Sequence, residues 1–160
     1  MSVVTSKELL TEASELLPRS PMIHRADGFQ LKGRRNLTFI AYRPFIPALA
    51  DAGVMDYFWQ HSRSECYIPR GATDKLSELV SLLSQNTVLR MPLVNVYEGG
   101  NKLRVVFITG QYLFALMRDL GFGAIPVMLT KQSEALFDQY IRATSEQPCT
   151  EASFEADNRI

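Results

Sequence analysis

The sequence predicts an α+β fold, in which a small mixed sheet is flanked by helices. Apolar residues make up 46% of the 160 residues and charged residues 21%, as in a globular domain that buries its own core. Short apolar runs bounded by glycine or proline predict strands, and apolar residues three or four positions apart predict helices. Because the two kinds of segment do not alternate as βαβ units, a mixed sheet is favoured over a doubly wound one.

The first third of the chain is expected to form a helix, a hairpin and a second helix. Ser6 precedes an amphipathic run and has the side chain of a helix N-cap. An extended pattern over residues 29–42 is interrupted by the turn-forming residues 33–36, which predicts a hairpin. Residues 48–58 favour one short helix that breaks or changes direction at Gly53.

The middle of the chain predicts a capped helix followed by two strands. Thr73 and Asp74 can cap a helix that runs to about residue 84, since its leucines and valine fall on one face. Residues 93–97 and 103–108 have strand patterns and are joined by a glycine-containing turn. These two segments therefore predict a second hairpin.

Gly110 ends the second strand and begins the next helix, which is expected over residues 111–120. Gly121 supplies a C-terminal stop for that helix. Residues 124–129 predict a short strand, and Pro126 within it favours an edge or a bulge. A last helix is expected over residues 133–142.

Residues 1–145 are therefore interpreted as one domain, and residues 146–160 as an acidic disordered tail. Seventeen basic residues balance seventeen acidic ones, so net charge alone gives no reason to bind DNA or a membrane. The most apolar run, residues 103–116, is too short and too polar to cross a bilayer. We expect a cytoplasmic protein with no membrane insertion.

Basic residues concentrate in the predicted first hairpin, where Lys32, Arg34 and Arg35 surround the turn. Such a tip is suited to nucleic-acid phosphates, and it is equally typical of an ordinary exposed hairpin. Trp59, with Tyr57 and Phe58, predicts part of the core or else a patch that binds a partner. Both alternatives stay open for each group.

Five segments of the second half occur in an order that resembles the ParB N-terminal and sulfiredoxin family. The matched core covers about residues 65–130, and within the family the resemblance is closest to plasmid fertility inhibition proteins of the Osa and FiwA type. In this sequence the segments are Ile68-Pro69-Arg70, Met91-Pro92-Leu93-Val94, Phe107-Ile108-Thr109-Gly110, Arg118-Asp119-Leu120-Gly121 and Ala124-Ile125-Pro126-Val127.

The resemblance implies a bacterial factor that blocks conjugative or T-DNA transfer through a type IV secretion route, with oncogenic suppression as one outcome. It implies ATPase and DNase activities, with ATP and Mg²⁺ as cofactors that are not tightly bound. It also implies DNA, a type IV secretion coupling protein or a transferred substrate as partners. A factor of this kind would be recruited to the inner-membrane face of the secretion machine.

The candidate phosphate site is the Gly110 turn, because a glycine that opens a helix presents backbone N–H groups and the positive end of the helix dipole. Thr109 and Gln111 are expected to add hydrogen bonds, and Tyr112 to stack on a base. The resemblance places Arg70 and Lys75 beside the phosphates. No metal ligands are assigned.

The residues after Gly110 depart from the family pattern, which has histidine, arginine or both where this chain has Gln111, Tyr112 and Leu113. The sulfiredoxin cysteine would fall at Gln111, so the alignment excludes peroxide-repair chemistry. Loss of charged donors removes stabilisation of a transition state. The alternative function is therefore a catalytically inactive module that inhibits a secretion or coupling protein by binding it.

Overall fold

The computed structural model describes residues 6–17, 22–33, 35–62, 65–72 and 75–143. A single 3₁₀ turn, Lys131–Ser133, precedes the last helix. In chain order the elements are α1 (Ser6–Leu16), β1 (Ile23–Arg25), β2 (Gly28–Leu31), β3 (Leu37–Ile40), β4 (Ile46–Asp51), α2 (Ala52–Gln60), α3 (Leu76–Gln85), β5 (Val88–Arg90), β6 (Leu93–Gly99), β7 (Lys102–Thr109), α4 (Gln111–Asp119), β8 (Ala124–Leu129) and α5 (Glu134–Tyr140).

The strands form two mixed four-stranded sheets, so the mixed α+β class is confirmed and the number of sheets is larger than expected. The first sheet has the order β1-β2-β3-β5 and the second the order β4-β8-β6-β7. One pair in each sheet, β3 with β5 and β6 with β8, is parallel, and the remaining pairs are antiparallel.

Among the described residues no helix has the length and apolar content needed to cross a bilayer.

The two sheets meet at Met91 and Pro92, which join β5 directly to β6. The Met91 N–H donates to the Ile40 carbonyl at 3.1 Å, which extends the first sheet. The Pro92 carbonyl accepts from the Met128 N–H at 2.8 Å, which begins the parallel ladder of the second sheet. The chain therefore passes from one sheet to the other without a loop.

An aromatic cluster fills the space between α2, α4 and β7. The ring of Trp59 is fully buried and lies 4.5 Å from that of Phe107 and 5.8 Å from that of Phe114, centroid to centroid. Edge-on packing of this kind adds to the stabilisation from burial alone. The prediction of Trp59 as core is confirmed, whereas Tyr57 on the same helix is 57% exposed.

The expectation of a helix over residues 48–58 is wrong for its first four residues. Residues 46–51 form β4, and α2 begins only at Ala52, where the Asp51 side chain accepts from the Val54 N–H at 3.1 Å. Ala and Leu favour helices locally, but pairing with β8 along its whole length overrides that preference. Gly53 lies inside the helix and does not break it.

The expectation that Pro126 marks an edge or a bulge is also wrong, because β8 lies between β4 and β6. Pro126 is opposite Leu49 in the β4–β8 pair. The Leu49 carbonyl accepts from the Ala143 N–H, which lies on the side of β4 away from β8. The backbone nitrogen of Pro126 therefore faces β6, and the β6–β8 ladder begins only at Met128. A proline fits there because no N–H is required of it.

Most other elements lie within two residues of their predicted bounds, although the short strands β1 and β5 were not expected. The predicted helix cap at Thr73 and Asp74 lies outside the described residues, as do Arg34 and the acidic segment 146–160. Helix α1 packs against α3, and α3 packs against α4. Because β7 ends at Thr109 and α4 begins at Gln111, the Gly110 turn lies at the junction of β7 and α4, at one end of the second sheet.

Candidate functional site

Gly110 is the N-cap of α4 and has a left-handed backbone, with φ of 80°. A Cβ atom at this position would lie 2.6 Å from the Cα of Pro92, closer than van der Waals contact allows. Both the positive φ and the approach of Pro92 require a glycine. The geometry of the turn therefore accounts for this residue before any ligand is considered.

The first turn of α4 retains the backbone features of an anion site. The Phe114 N–H donates to the Gly110 carbonyl at 3.2 Å, which is the first bond of the helix. The N–H groups before Phe114 have no acceptor within the helix, as at any helix N-terminus. Thr109 is exposed and Gln111 is half-buried beside them. An anion here would meet backbone dipoles and two uncharged side chains.

Tyr112, which was expected to stack on a base, packs against the apolar core. It is half-buried and lines a cavity of about 20 Å³ together with Leu10 of α1 and Leu76 and Leu79 of α3. Its expected role in stacking on a base stays a prediction.

The structure does not bring Arg70 to the Gly110 turn. Arg70 lies 3.8 Å from the Asp56 carboxylate, and the neighbouring Gly71 N–H donates to the Asp119 carboxylate at 3.1 Å. Asp119 is the last residue of α4 and Gly110 its N-cap, so about 13 Å of helix separates them at a rise of about 1.5 Å per residue. Arg70 thus belongs to the opposite end of α4.

Lys75 is the N-cap of α3 and has a left-handed backbone, with φ of 67°. Its ammonium group lies 3.6 Å from the Glu78 carboxylate, and both side chains are more than half exposed. An exposed pair of this kind is weak, so Lys75 can exchange this partner for another anion.

Sequence reasoning missed a buried charge cluster at the C-terminal end of α4, centred on Arg118. The Arg118 side chain is 1% exposed, and its guanidinium donates to the Asp56 carboxylate at 2.9 Å and to the Asp119 carboxylate at 2.9 Å. It also donates to the Ile68 carbonyl at 2.7 Å, and the Tyr67 hydroxyl donates to Asp56 at 3.2 Å. The cluster therefore ties the segment 65–72 to α2 and α4.

Burial and charge shift the pKa values of two members of this cluster. Burial raises the pKa of the Tyr67 hydroxyl, and the Asp56 charge raises it further, against an opposing effect of Arg118. Burial lowers the pKa of Arg118, but hydrogen bonds and charge from Asp119 and Asp56 outweigh that effect, and its pKa is raised. Arg118 is therefore a permanent buried cation. In the sequence, the signal that could have indicated this cluster is the charged pair Arg118 and Asp119 in a largely apolar helix.

The basic hairpin is only partly free for a ligand. Lys32 is exposed, whereas the Arg35 guanidinium donates to the Asn86 carbonyl and fastens the hairpin to the end of α3. Arg34 lies outside the described residues. No three histidine, cysteine or acidic side chains cluster at metal-binding distance within the ranges that the structure describes.

No family model matches the chain, and a search of curated proteins finds no match. Among solved structures, the chain is similar to the crystal structure of the Oncogenic Suppression Activity protein, a plasmid fertility inhibition factor, in its gold(I) cyanide derivative. The two share 12% sequence identity and superpose with a TM-score of 0.63, over 96% of this chain and 90% of that chain. The fold implied by the sequence motifs is thereby confirmed: this chain has the fold of a plasmid fertility inhibition factor.

Proposed function

We propose that this chain is a plasmid fertility inhibition factor, which blocks conjugative or T-DNA transfer through a type IV secretion route. The observation that carries the proposal is the extent of the structural similarity, which spans nearly the whole of both chains. The ordered motifs from Ile68 to Val127 support it independently, since they resemble the same group of proteins.

The favoured mechanism is inhibition by binding to a coupling protein or to a transferred substrate. Its support comes from the Gly110 turn, where Thr109 and Gln111 are uncharged and Tyr112 is half-buried against the core. Arg70 is ion-paired at the opposite end of α4. Backbone amides alone stabilise little of the charge that develops in phosphoryl transfer.

The second candidate mechanism is ATP hydrolysis coupled to DNA cleavage, with ATP and Mg²⁺ bound only transiently. The open first turn of α4 supports it, because a helix N-terminus attracts phosphate without charged side chains. Lys75 supports it too, since its exposed ion pair with Glu78 is easily exchanged for a phosphate.

Transfer inhibition is tested in donor cells that carry a conjugative plasmid, with and without the chain. We expect the frequency of transconjugants to fall by at least an order of magnitude. Uptake of the same plasmid by transformation must stay unchanged, and the Trp59→Asp variant, with a carboxylate in the core, must lose the effect. Normal transfer in the presence of the folded protein would contradict the proposal.

The two mechanisms are separated with purified protein. ATP turnover and plasmid nicking are measured with and without Mg²⁺, on the wild type and on Lys75→Ala. Inhibition by binding predicts no turnover of either substrate and full transfer inhibition by Lys75→Ala in cells. Turnover that requires Lys75, together with loss of inhibition in that variant, would establish the enzymatic mechanism instead.

A further inference from the structure

A cleft lies on the outer face of α2, where this helix meets the β6–β7 hairpin. We call it the α2 cleft. It has a volume of about 540 Å³, within the range of small-molecule sites. It is separate from the Gly110 turn and is lined by Tyr57, Phe58, Gln60, His61, Lys102 and Leu103.

The α2 cleft contains an exposed and supported aromatic surface. Tyr57 is 57% exposed, so more than half of this residue is open to solvent. Its ring lies 4.3 Å from that of His61 at an interplanar angle of 34°, so the two rings are partly stacked. Phe58 meets Tyr57 edge-on at 5.5 Å. The three rings form a continuous wall.

This wall is held in place by hydrogen bonds and by the core behind it. The His61 ring nitrogen Nδ1 lies 2.8 Å from the Tyr57 carbonyl oxygen, and the His61 carbonyl accepts from the Arg104 guanidinium at 3.2 Å. The Val105 N–H donates to the Ser62 hydroxyl at 2.8 Å, which fastens the end of α2 to the edge of β7. A fixed surface loses little conformational entropy when a ligand binds.

Polar and cationic groups complete the lining. Lys102 is exposed and lines the cleft, and Gln60 offers both a donor and an acceptor. Arg104 adds a second positive charge beside His61, while the exposed Glu98, opposite Leu103 on the neighbouring strand, carries a negative one. Since Gln60, His61 and Lys102 are three of the six lining residues, a purely apolar peptide segment fits poorly.

We propose that the α2 cleft binds a nucleotide unit, whose aromatic base stacks on Tyr57 and whose phosphate contacts Lys102. Exposed aromatic rings beside basic side chains are the usual means of holding unpaired bases, because every base has a face that can stack. Gln60 then hydrogen-bonds the edge of the base. The inference does not rest on the proposed function, and the source of the nucleotide unit is a free nucleotide or a single strand.

The test is fluorescence anisotropy of short labelled oligo-dT and oligo-dA strands, with AMP and inorganic phosphate as competitors. Tyr57→Ala is expected to weaken binding by about tenfold or more, as loss of a stacked base does. Lys102→Ala is expected to reduce the salt dependence by about one phosphate contact. If AMP binds as tightly as the strands, a free nucleotide is the source; if the strands bind far more tightly, it is single-stranded nucleic acid.

The matched control is Tyr140→Ala, which removes a tyrosine that is 47% exposed on α5 and is expected to leave affinity unchanged. Circular dichroism and melting temperature must show that Tyr57→Ala is folded; if it is not, Tyr57→Leu, which keeps an apolar side chain but removes the ring, replaces it. Wild-type affinity in the folded variant would overturn the proposal. Equal competition by phosphate and AMP would overturn it too, as would the absence of saturable binding. Transfer inhibition in cells is unaffected by these outcomes, so the two proposals fail separately.

Discussion

The two ends of α4 differ in where the protein places its charges. At the N-terminal end, the Gly110 turn is formed by backbone and by uncharged side chains, and part of it is open to solvent. At the C-terminal end, Arg118 is buried among two carboxylates and a carbonyl. Residues 109–112, at the end that attracts anions through its dipole, include no charged side chain, whereas the Arg118 cation at the other end is 1% exposed.

The residues that stabilise the molecule around Arg118 are therefore not the residues expected to bind phosphate at the Gly110 turn. Arg70, which the sequence motifs suggest as a phosphate ligand, belongs to the buried end through its contact with Asp56. A buried cation without a partner is unstable, so the carboxylates around Arg118 are required by folding itself. Substitutions at the two ends are therefore expected to have different consequences.

Arg118→Ala is expected to have the largest effect. It leaves Asp56 and Asp119 without their main partner, which typically costs about 3–5 kcal/mol for a buried pair. Urea unfolding measures the loss. The control is Arg142→Ala, which removes an exposed ion pair with Asp138 (side chains 40% and 45% exposed) and is expected to cost less than about 1 kcal/mol. Similar losses in both variants would mean that the cluster is not buried in solution.

Gly110→Ala is expected to have an intermediate effect, compared with Gly71→Ala. Both glycines have a φ near 80°, so either alanine carries a conformational strain of about 1–2 kcal/mol. Only at Gly110 does the new Cβ overlap with Pro92, because nothing lies within 4 Å at Gly71. Overlap of this kind adds about 1 kcal/mol or more. Equal losses of unfolding free energy in the two variants would contradict the close approach of Pro92.

The smallest expected effect is a pH dependence from Tyr67. Burial and the nearby Asp56 raise its pKa in the folded state, so the unfolded chain loses the hydroxyl proton first as pH rises. The contribution of Tyr67 is therefore complete below about pH 10 and declines above it, up to its folded pKa. Stability of the wild type should fall more steeply than that of Tyr67→Phe in alkaline solution. Parallel curves would show that the pKa of Tyr67 is not raised in the folded state.

Elements with a strong local pattern could be predicted from the sequence. The helices α3 and α4 show one-sided apolar spacing, and β6, β7 and β8 are bounded by glycine or proline. The strand β4 could not be predicted, because Ala48, Leu49 and Ala50 favour a helix until β8 lies beside them. The three-residue strand β5 has too few residues for a period to be recognised.

The same distinction applies to the candidate site. The glycine turn before α4 is a local feature, and its position was predicted correctly. The Arg118 cluster was missed because Arg118 and Asp56 are 62 positions apart, and no sequence pattern connects them. The order of motifs placed Arg70 near a phosphate, but order along a chain does not specify distance in space. The role of Gly110 and its neighbours in binding remains a prediction.

The pairing of β4 with β8 has a consequence for synthesis of the protein. Six consecutive residues of β4 are opposite six of β8, from Ile46 with Leu129 to Asp51 with Ala124. A chain that emerges from the ribosome N-terminus first cannot complete this ladder until residue 129 is available, and until then β4 presents an unpaired edge. Non-local pairing of this kind slows folding and exposes nascent strands to aggregation. We therefore expect chains truncated before β8 to be insoluble.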